Sequence, residues 1–124
     1  MSRVFFAVGG ALALVGVAAG AFASHGLESR LSADALATFE TGVRYQMYHA
    51  LALLAVAWAA RQWPHELWTA SGWLFVAGVA LFSGSLYALS LGAPRWLGAI
   101  TPFGGTAFLA GWGLAVVAAL RGAG

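Results

Sequence analysis

Cysteine is missing altogether and charge nearly so, six arginines and four acids being all there is in 124 residues. Without cysteine there is no disulfide, no thiolate ligand and no thiol nucleophile. The net charge of +2 and the pI near 9.7 come from arginines scattered singly, with no basic tract. That excludes the electrostatic footprint of a nucleic-acid binder. Polar surface is scarce as well. A chain that is 61% hydrophobic and 8% charged, with a mean hydropathy of +0.83, cannot cover a water-soluble globule of its size, so the lipid bilayer is its solvent.

What is present is long and apolar. Val4 to Ser24 has no charged residue, and about twenty residues at 1.5 Å rise cover the ~30 Å hydrocarbon core, so a first span is expected over 4–24. Its glycines at 9, 16 and 20 mark one packing face with a G-x-x-x-G inside it. A secretory signal peptide competes for this stretch. Arg3 would be its n-region and Ala21-Phe22-Ala23 its cleavage site, although the apolar run is longer than a usual h-region.

Leu27 to Val43 is the longest polar connection. Ser32 as N-cap, with Leu36, Phe39 and Val43 at i, i+3 and i+7, predicts a short amphipathic helix over 33–42 on the membrane surface, and Gly42 offers a bend into the bilayer. Further spans are expected over 45–60, 67–91 and 102–120. Pro64 ends the second, and Gly92-Ala93-Pro94-Arg95 closes the third. Thr101-Pro102-Phe103-Gly104-Gly105 is expected to interrupt the last apolar run with non-helical backbone. Gly104, Ala107 and Gly111 then give a second small-residue face. The fold class is all-α: one domain over 1–124, an integral membrane four-helix bundle with a short amphipathic helix between the first two spans. A faint likeness of Ala55–Arg61 to Ala115–Arg121 fits two hairpins.

Four spans put both termini on one face with Arg3, Arg61 and Arg121, while Arg30, Arg44 and Arg95 lie on the other. This is a tie under the positive-inside rule. The free amino terminus and the acids beside Arg30 and Arg44 tip the termini toward the cytoplasm.

The densest polar run, Phe39 to His49 (F-E-T-G-V-R-Y-Q-M-Y-H), opens the second span. On a helix Thr38, Thr41, Tyr45, Tyr48 and His49 share a stripe continued by Ala52 and Ala59, expected to meet other helices, with Met47, Leu51, Leu54 and Trp58 toward lipid. Arg44 follows Glu40 by one turn, in the order that favours an ion pair. The bland reading is that Arg44, Tyr45 and Tyr48 only anchor the helix at headgroup level. The alternation of spans, however, brings His25, Arg44, Tyr45, Tyr48, His49, Ser83, Ser85, Tyr87 and Thr101 into the leaflet opposite the termini. Polar groups are costly there, so these residues form the candidate ligand-binding set.

Gly20-Ala21-Phe22-Ala23-Ser24-His25-Gly26-Leu27, Phe39 to Ala50, Leu81-Phe82-Ser83-Gly84-Ser85-Leu86-Tyr87 and Ile100-Thr101-Pro102-Phe103-Gly104-Gly105 together resemble the signature blocks of a family of small membrane proteins of unknown function, the bacterial YgdD and YwdK type, with relatives in eukaryotes. The blocks follow the family's order over most of the chain; Ala23-Ser24 stands where the family often has Gly-Ala. The resemblance implies four transmembrane helices in the bacterial inner (plasma) membrane. It implies no activity, substrate or cofactor.

Several readings of the polar set stay open. His25 and His49 could hold a haem or a metal, yet no Cys, no H-x-x-x-H and no carboxylate pair accompanies them. His49 as base with Ser83 or Ser85 as nucleophile lacks a G-x-S-x-G elbow and an acid partner, so no catalytic residue, metal ligand or cofactor is assigned. Arg44 with the tyrosines and Thr101 could form a pocket for a lipid headgroup or small anion, for binding or transport. The foremost reading is a structural, assembly or adaptor protein whose small-residue faces dock a membrane-protein partner or copies of itself.

Overall fold

The computed structural model describes residues 1–123, and among them every regular element is helical. α1 (Ser2–Phe22) is prolonged by a wide π turn over Ala23–Leu27, closed by a bond from the Glu28 amide to the Ala23 carbonyl. α2 runs over Ala33–Gln62. α3 (Leu67–Gly78) passes through a second π turn, Val79–Ser83, into α4 (Gly84–Ser90), and a 3₁₀ turn at Arg95–Ala99 leads into α5 (Thr101–Arg121). The rods Ser2–Leu27, Leu67–Ser90 and Arg95–Arg121 are long and apolar enough to cross a membrane.

The starts and stops follow local chemistry. Ser32 caps α2 as expected, its hydroxyl accepting from the Ala35 amide at 3.1 Å. Gly92, at φ 103°, ends α4 in the left-handed conformation only glycine adopts cheaply. The Ala93 amide then reaches the Ala88 carbonyl at 2.9 Å and the Gly92 amide reaches Leu89 at 3.2 Å.

Two expectations need correction. Residues 33–42 are not a separate helix but the first turns of a continuous 30-residue α2. Gly42 serves close approach rather than bending: a Cβ there would sit 2.8 Å from the Tyr87 ring and 3.4 Å from the Ser83 carbonyl. Likewise Thr101 to Gly105 is helical rather than broken, because Pro102 stands in the first turn of α5, where its missing amide hydrogen has no partner to lose.

The rods pair as antiparallel hairpins, α1 against α2 and α3 against α5, with α4 returning to α2. In α1, Gly9 faces Ala50 and Leu53, Gly16 faces Met47, and Gly20 faces Val43, so the glycine face read from the sequence is the α2 contact. Elsewhere aromatic rings fill glycine gaps: Phe5 lies over Gly72, Phe75 over Gly111, and Phe108 over Gly78. These contacts join a core of Phe5, Leu53, Val56, Trp68, Phe75, Val79 and Phe108, with a smaller cluster of Ala23, Leu27 and Phe39 at the far end. Lipid tails are as apolar as this core, so close packing and internal hydrogen bonds rather than burial from water hold the rods together. At the other end, the Trp68 indole donates to the Trp63 carbonyl at 2.9 Å, and the Ala123 amide to Pro64 at 3.3 Å. The end of α5 therefore lies beside the α2–α3 turn.

Candidate functional site

α2 buries Gly42, Gln46, His49, Ala50, Leu53 and Val56, a face turned by about one residue from the stripe expected. His49, 4% exposed, is its most elaborately held side chain. Its Nδ1 pairs with the Tyr45 carbonyl at 2.7 Å, and the Trp112 indole donates to its Nε2 at 3.1 Å. Together these bonds require the neutral Nδ1–H tautomer, with neither nitrogen left over. The ring stacks on Phe108 at 3.6 Å between centroids and 5° between planes. Beside it opens a groove of about 570 Å³ between α2 and α5, lined by Tyr45, Tyr48, His49, Phe82, Phe108 and Trp112 among others.

A second polar set ties α2 to its other neighbours. The Gln46 amide donates to the Leu12 carbonyl of α1 at 2.8 Å, and its Oε1 accepts from the Tyr87 hydroxyl of α4 at 2.6 Å. Ser83 donates to the Gly42 carbonyl at 2.7 Å. Ser85 bonds the Phe82 carbonyl at 3.0 Å and the Thr101 hydroxyl at 2.5 Å, joining α4 to the start of α5. A further bond, from Ser71 to the Gly111 carbonyl at 2.8 Å, joins α3 to α5. Among the described residues no buried side-chain nitrogen or oxygen lacks a partner.

The expected set thus divides. Ser83, Ser85, Tyr87 and Thr101 act as interhelical ties, and His49 with Tyr45 and Tyr48 lines the groove. Tyr45 and Tyr48, 37% and 54% exposed, stand at the rim rather than among the helices. His25 and Arg44 are exposed and line neither this groove nor a common cavity with His49. The Arg44 guanidinium donates to Thr41 at 3.1 Å on its own helix. Gln46 meets Leu12 and Ala50 meets Gly9, so His49 lies between the levels of Gly9 and Leu12, which leaves His25 at least roughly 20 Å farther along α1 at 1.5 Å per residue, too far for one iron to join the two imidazoles. Among the described residues, no three His, Cys, Asp or Glu side chains gather where they could hold a metal ion. Ser83 and Ser85 bond to backbone carbonyls, as serines in membrane helices commonly do, and neither is hydrogen-bonded to His49.

Sequence reasoning passed over Gln46 and Trp112. The signal for Gln46 was present, since a glutamine inside an apolar span needs partners. Trp112 gave none, because tryptophans on membrane helices are common on the lipid face.

The chemistry of this arrangement is cohesion: neutral donors and acceptors used up in joining helices, beside the aromatic α2–α5 groove. No solved structure matches the chain. A family described as "Protein of unknown function (DUF423)" matches residues 19–105. The UPF0382 membrane protein YwdK of Bacillus subtilis (strain 168) is 48% identical over 120 residues, covering 96% of this chain and 98% of that one. A UPF0382 membrane protein of Haemophilus influenzae is 52% identical over 97 residues, 77% of each chain. The UPF0382 inner membrane protein YgdD of Escherichia coli (strain K12) is 41% identical over 119 residues, 95% of this chain and 88% of its own. Apolar helices, glycine-filled contacts and these likenesses lead to one assignment: the chain belongs to the DUF423, or UPF0382, family of membrane proteins.

Proposed function

We propose that this protein is a structural or assembly element of the bacterial inner membrane, a four-helix transmembrane bundle that receives a helix of a partner membrane protein in its α2–α5 groove. The observation that carries the reading is the groove itself: an aromatic concavity of about 570 Å³ with Tyr48, Leu109 and Trp112 exposed at its edges. Among the described residues the buried polar side chains are spent on partners within the protein, which favours the groove over the interior as the place of binding. Aromatic side chains supply large contact area at low entropic cost, which suits a helix-docking surface.

The fourth span is residues 45–60 of α2, supported by the packing of α2 between α1 and the α3–α4 rod. The inner membrane is supported by the printed name of the Escherichia coli relative. Both termini face the cytoplasm, the side where Arg3, Arg61 and Arg121 share their face with the single acid Glu66, whereas Arg30, Arg44 and Arg95 share theirs with Glu28, Asp34 and Glu40.

The test is a photo-reactive residue at Leu109 or at Tyr48, crosslinked in native membranes. Adducts from both positions should converge on one protein and vanish when Gly105→Phe fills the groove, and Val17, a lipid-facing position on α1, should yield none. Adducts with lipid alone at both groove positions would refute the docking role, and an adduct of twice the chain's own mass would assign the groove to a second copy.

A further inference from the structure

A second groove, of about 330 Å³, lies between the start of α1 and the end of α2, far from His49. It is lined by Ser2, Arg3, Phe6, Leu54, Ala57, Trp58 and Arg61. Its chemistry is graded along its length. On α2, Arg61 stands above Ala57 and Trp58 by one turn and above Leu54 by two; on α1, Arg3 stands one turn before Phe6. The two guanidiniums therefore share the end of the groove at the end of the bundle, and the walls below them are apolar. Phe6 and Trp58 are 60% and 55% exposed, so the groove opens sideways to lipid. Among the described residues no acidic side chain lines it.

Two like charges brought to one mouth disfavour each other until an anion joins them. Guanidinium is the side chain whose planar fork matches phosphate oxygens two at a time. The apolar floor runs roughly 10 Å inward from Arg61 to Leu54 at 1.5 Å per residue, along the direction a lipid tail takes. From this we infer that the α1–α2 groove is a binding site for an anionic phospholipid, its phosphate held by Arg3 and Arg61 and one acyl chain lying against Phe6, Leu54, Ala57 and Trp58. Trp58, which meets Trp63 edge-on at 5.2 Å, flanks the groove below the headgroup in the position interfacial tryptophans favour. The site is separate from the α2–α5 groove, and it moves the anionic-headgroup role from Arg44, whose guanidinium bonds Thr41, to the opposite end of the bundle.

The experiment uses the full chain, extracted in mild detergent and challenged with phosphatidylglycerol or phosphatidylethanolamine in mixed micelles, with bound lipid read by native mass spectrometry and stabilisation by thermal unfolding. Wild type should retain phosphatidylglycerol over phosphatidylethanolamine, and the double variant Arg3→Gln/Arg61→Gln should lose about tenfold in that retention. Arg121→Gln, which removes a charge at the same end but outside the groove, should leave it unchanged. Ala57→Phe keeps both charges and fills the floor, and should also displace the lipid; unfolding without added lipid confirms that each variant is folded. Equal retention of the two lipids would overturn the site. So would unchanged retention in the double variant, an equal loss in Arg121→Gln, or the same thermal shift from inorganic phosphate alone.

Discussion

Gln46 carries more of the architecture than any charged residue does. One amide reaches α1 through the Leu12 carbonyl and α4 through Tyr87, so three rods meet at a single side chain. Hydrogen bonds between membrane helices contribute modestly, about 0.6 kcal/mol on average and up to about 1.7. Gln46→Leu should therefore cost about 1–2 kcal/mol, because it also strands the half-buried Tyr87 hydroxyl. Tyr87→Phe should cost less, and the double variant should cost clearly less than the two losses summed. The measurement is the midpoint of unfolding in detergent mixtures of rising denaturing strength; strictly additive losses would mean that the two groups are not coupled. That a glutamine in an apolar span needs partners was legible in the sequence. Which partners was not, because Leu12 lies 34 residues away and Tyr87 41.

At the level of the elements, the contacts are set by glycines that differ sharply in what surrounds them. A Cβ on Gly104 would run into the backbone of Phe82, which cannot step aside as a side-chain tip can; around Gly10 there is nothing within 4 Å. Gly104→Ala should thus lose about 1–3 kcal/mol through overpacking of α5 against the Val79–Ser83 turn. Gly10→Ala should be neutral or gain up to about 1 kcal/mol from helix propensity alone. The same unfolding assay reads both, and a neutral Gly104→Ala would contradict the tight α5 contact. The π turn at Val79–Ser83 adds a residue to the helical repeat. Phe82 faces Gly104 while Ser83 reaches Gly42 of α2. Nothing in the apolar run Val79-Ala80-Leu81-Phe82-Ser83 marked that wide turn, since its bonding pattern depends on the partners on either side.

The molecule as a whole is two hairpins sharing α2 as their common wall. Three rods qualify as membrane-crossing by length and apolarity, and α2 brings four charged side chains, Asp34, Glu40, Arg44 and Arg61. If α2 crosses through residues 45–60, the bundle has two distinct ends. A chain without cysteine makes this directly testable. Single cysteines at Gln62 and Ala123 should react with a membrane-impermeant thiol reagent from one side, and those at Ser29 and Trp96 only from the other. Labelling of Ser29→Cys and Gln62→Cys from the same side would show that α2 does not cross. Reaction of Ala123→Cys in intact cells would reverse the cytoplasmic assignment of the termini.

The amino-acid sequence by itself determined the class of molecule, the cap that starts α2 and the glycine face of α1. These depend on local quantities: hydropathy over about twenty residues, caps, prolines and helical spacing. Tertiary structure alone decided the rotation of α2, and with it the fate of the polar residues. In a bilayer both faces of a helix meet apolar surroundings, so the contrast that points a helix inward in water is absent. Neighbouring rods had to settle that Gln46 and His49 turn inside, that Tyr45 and Tyr48 form a rim, and that Arg44 and His25 remain outside.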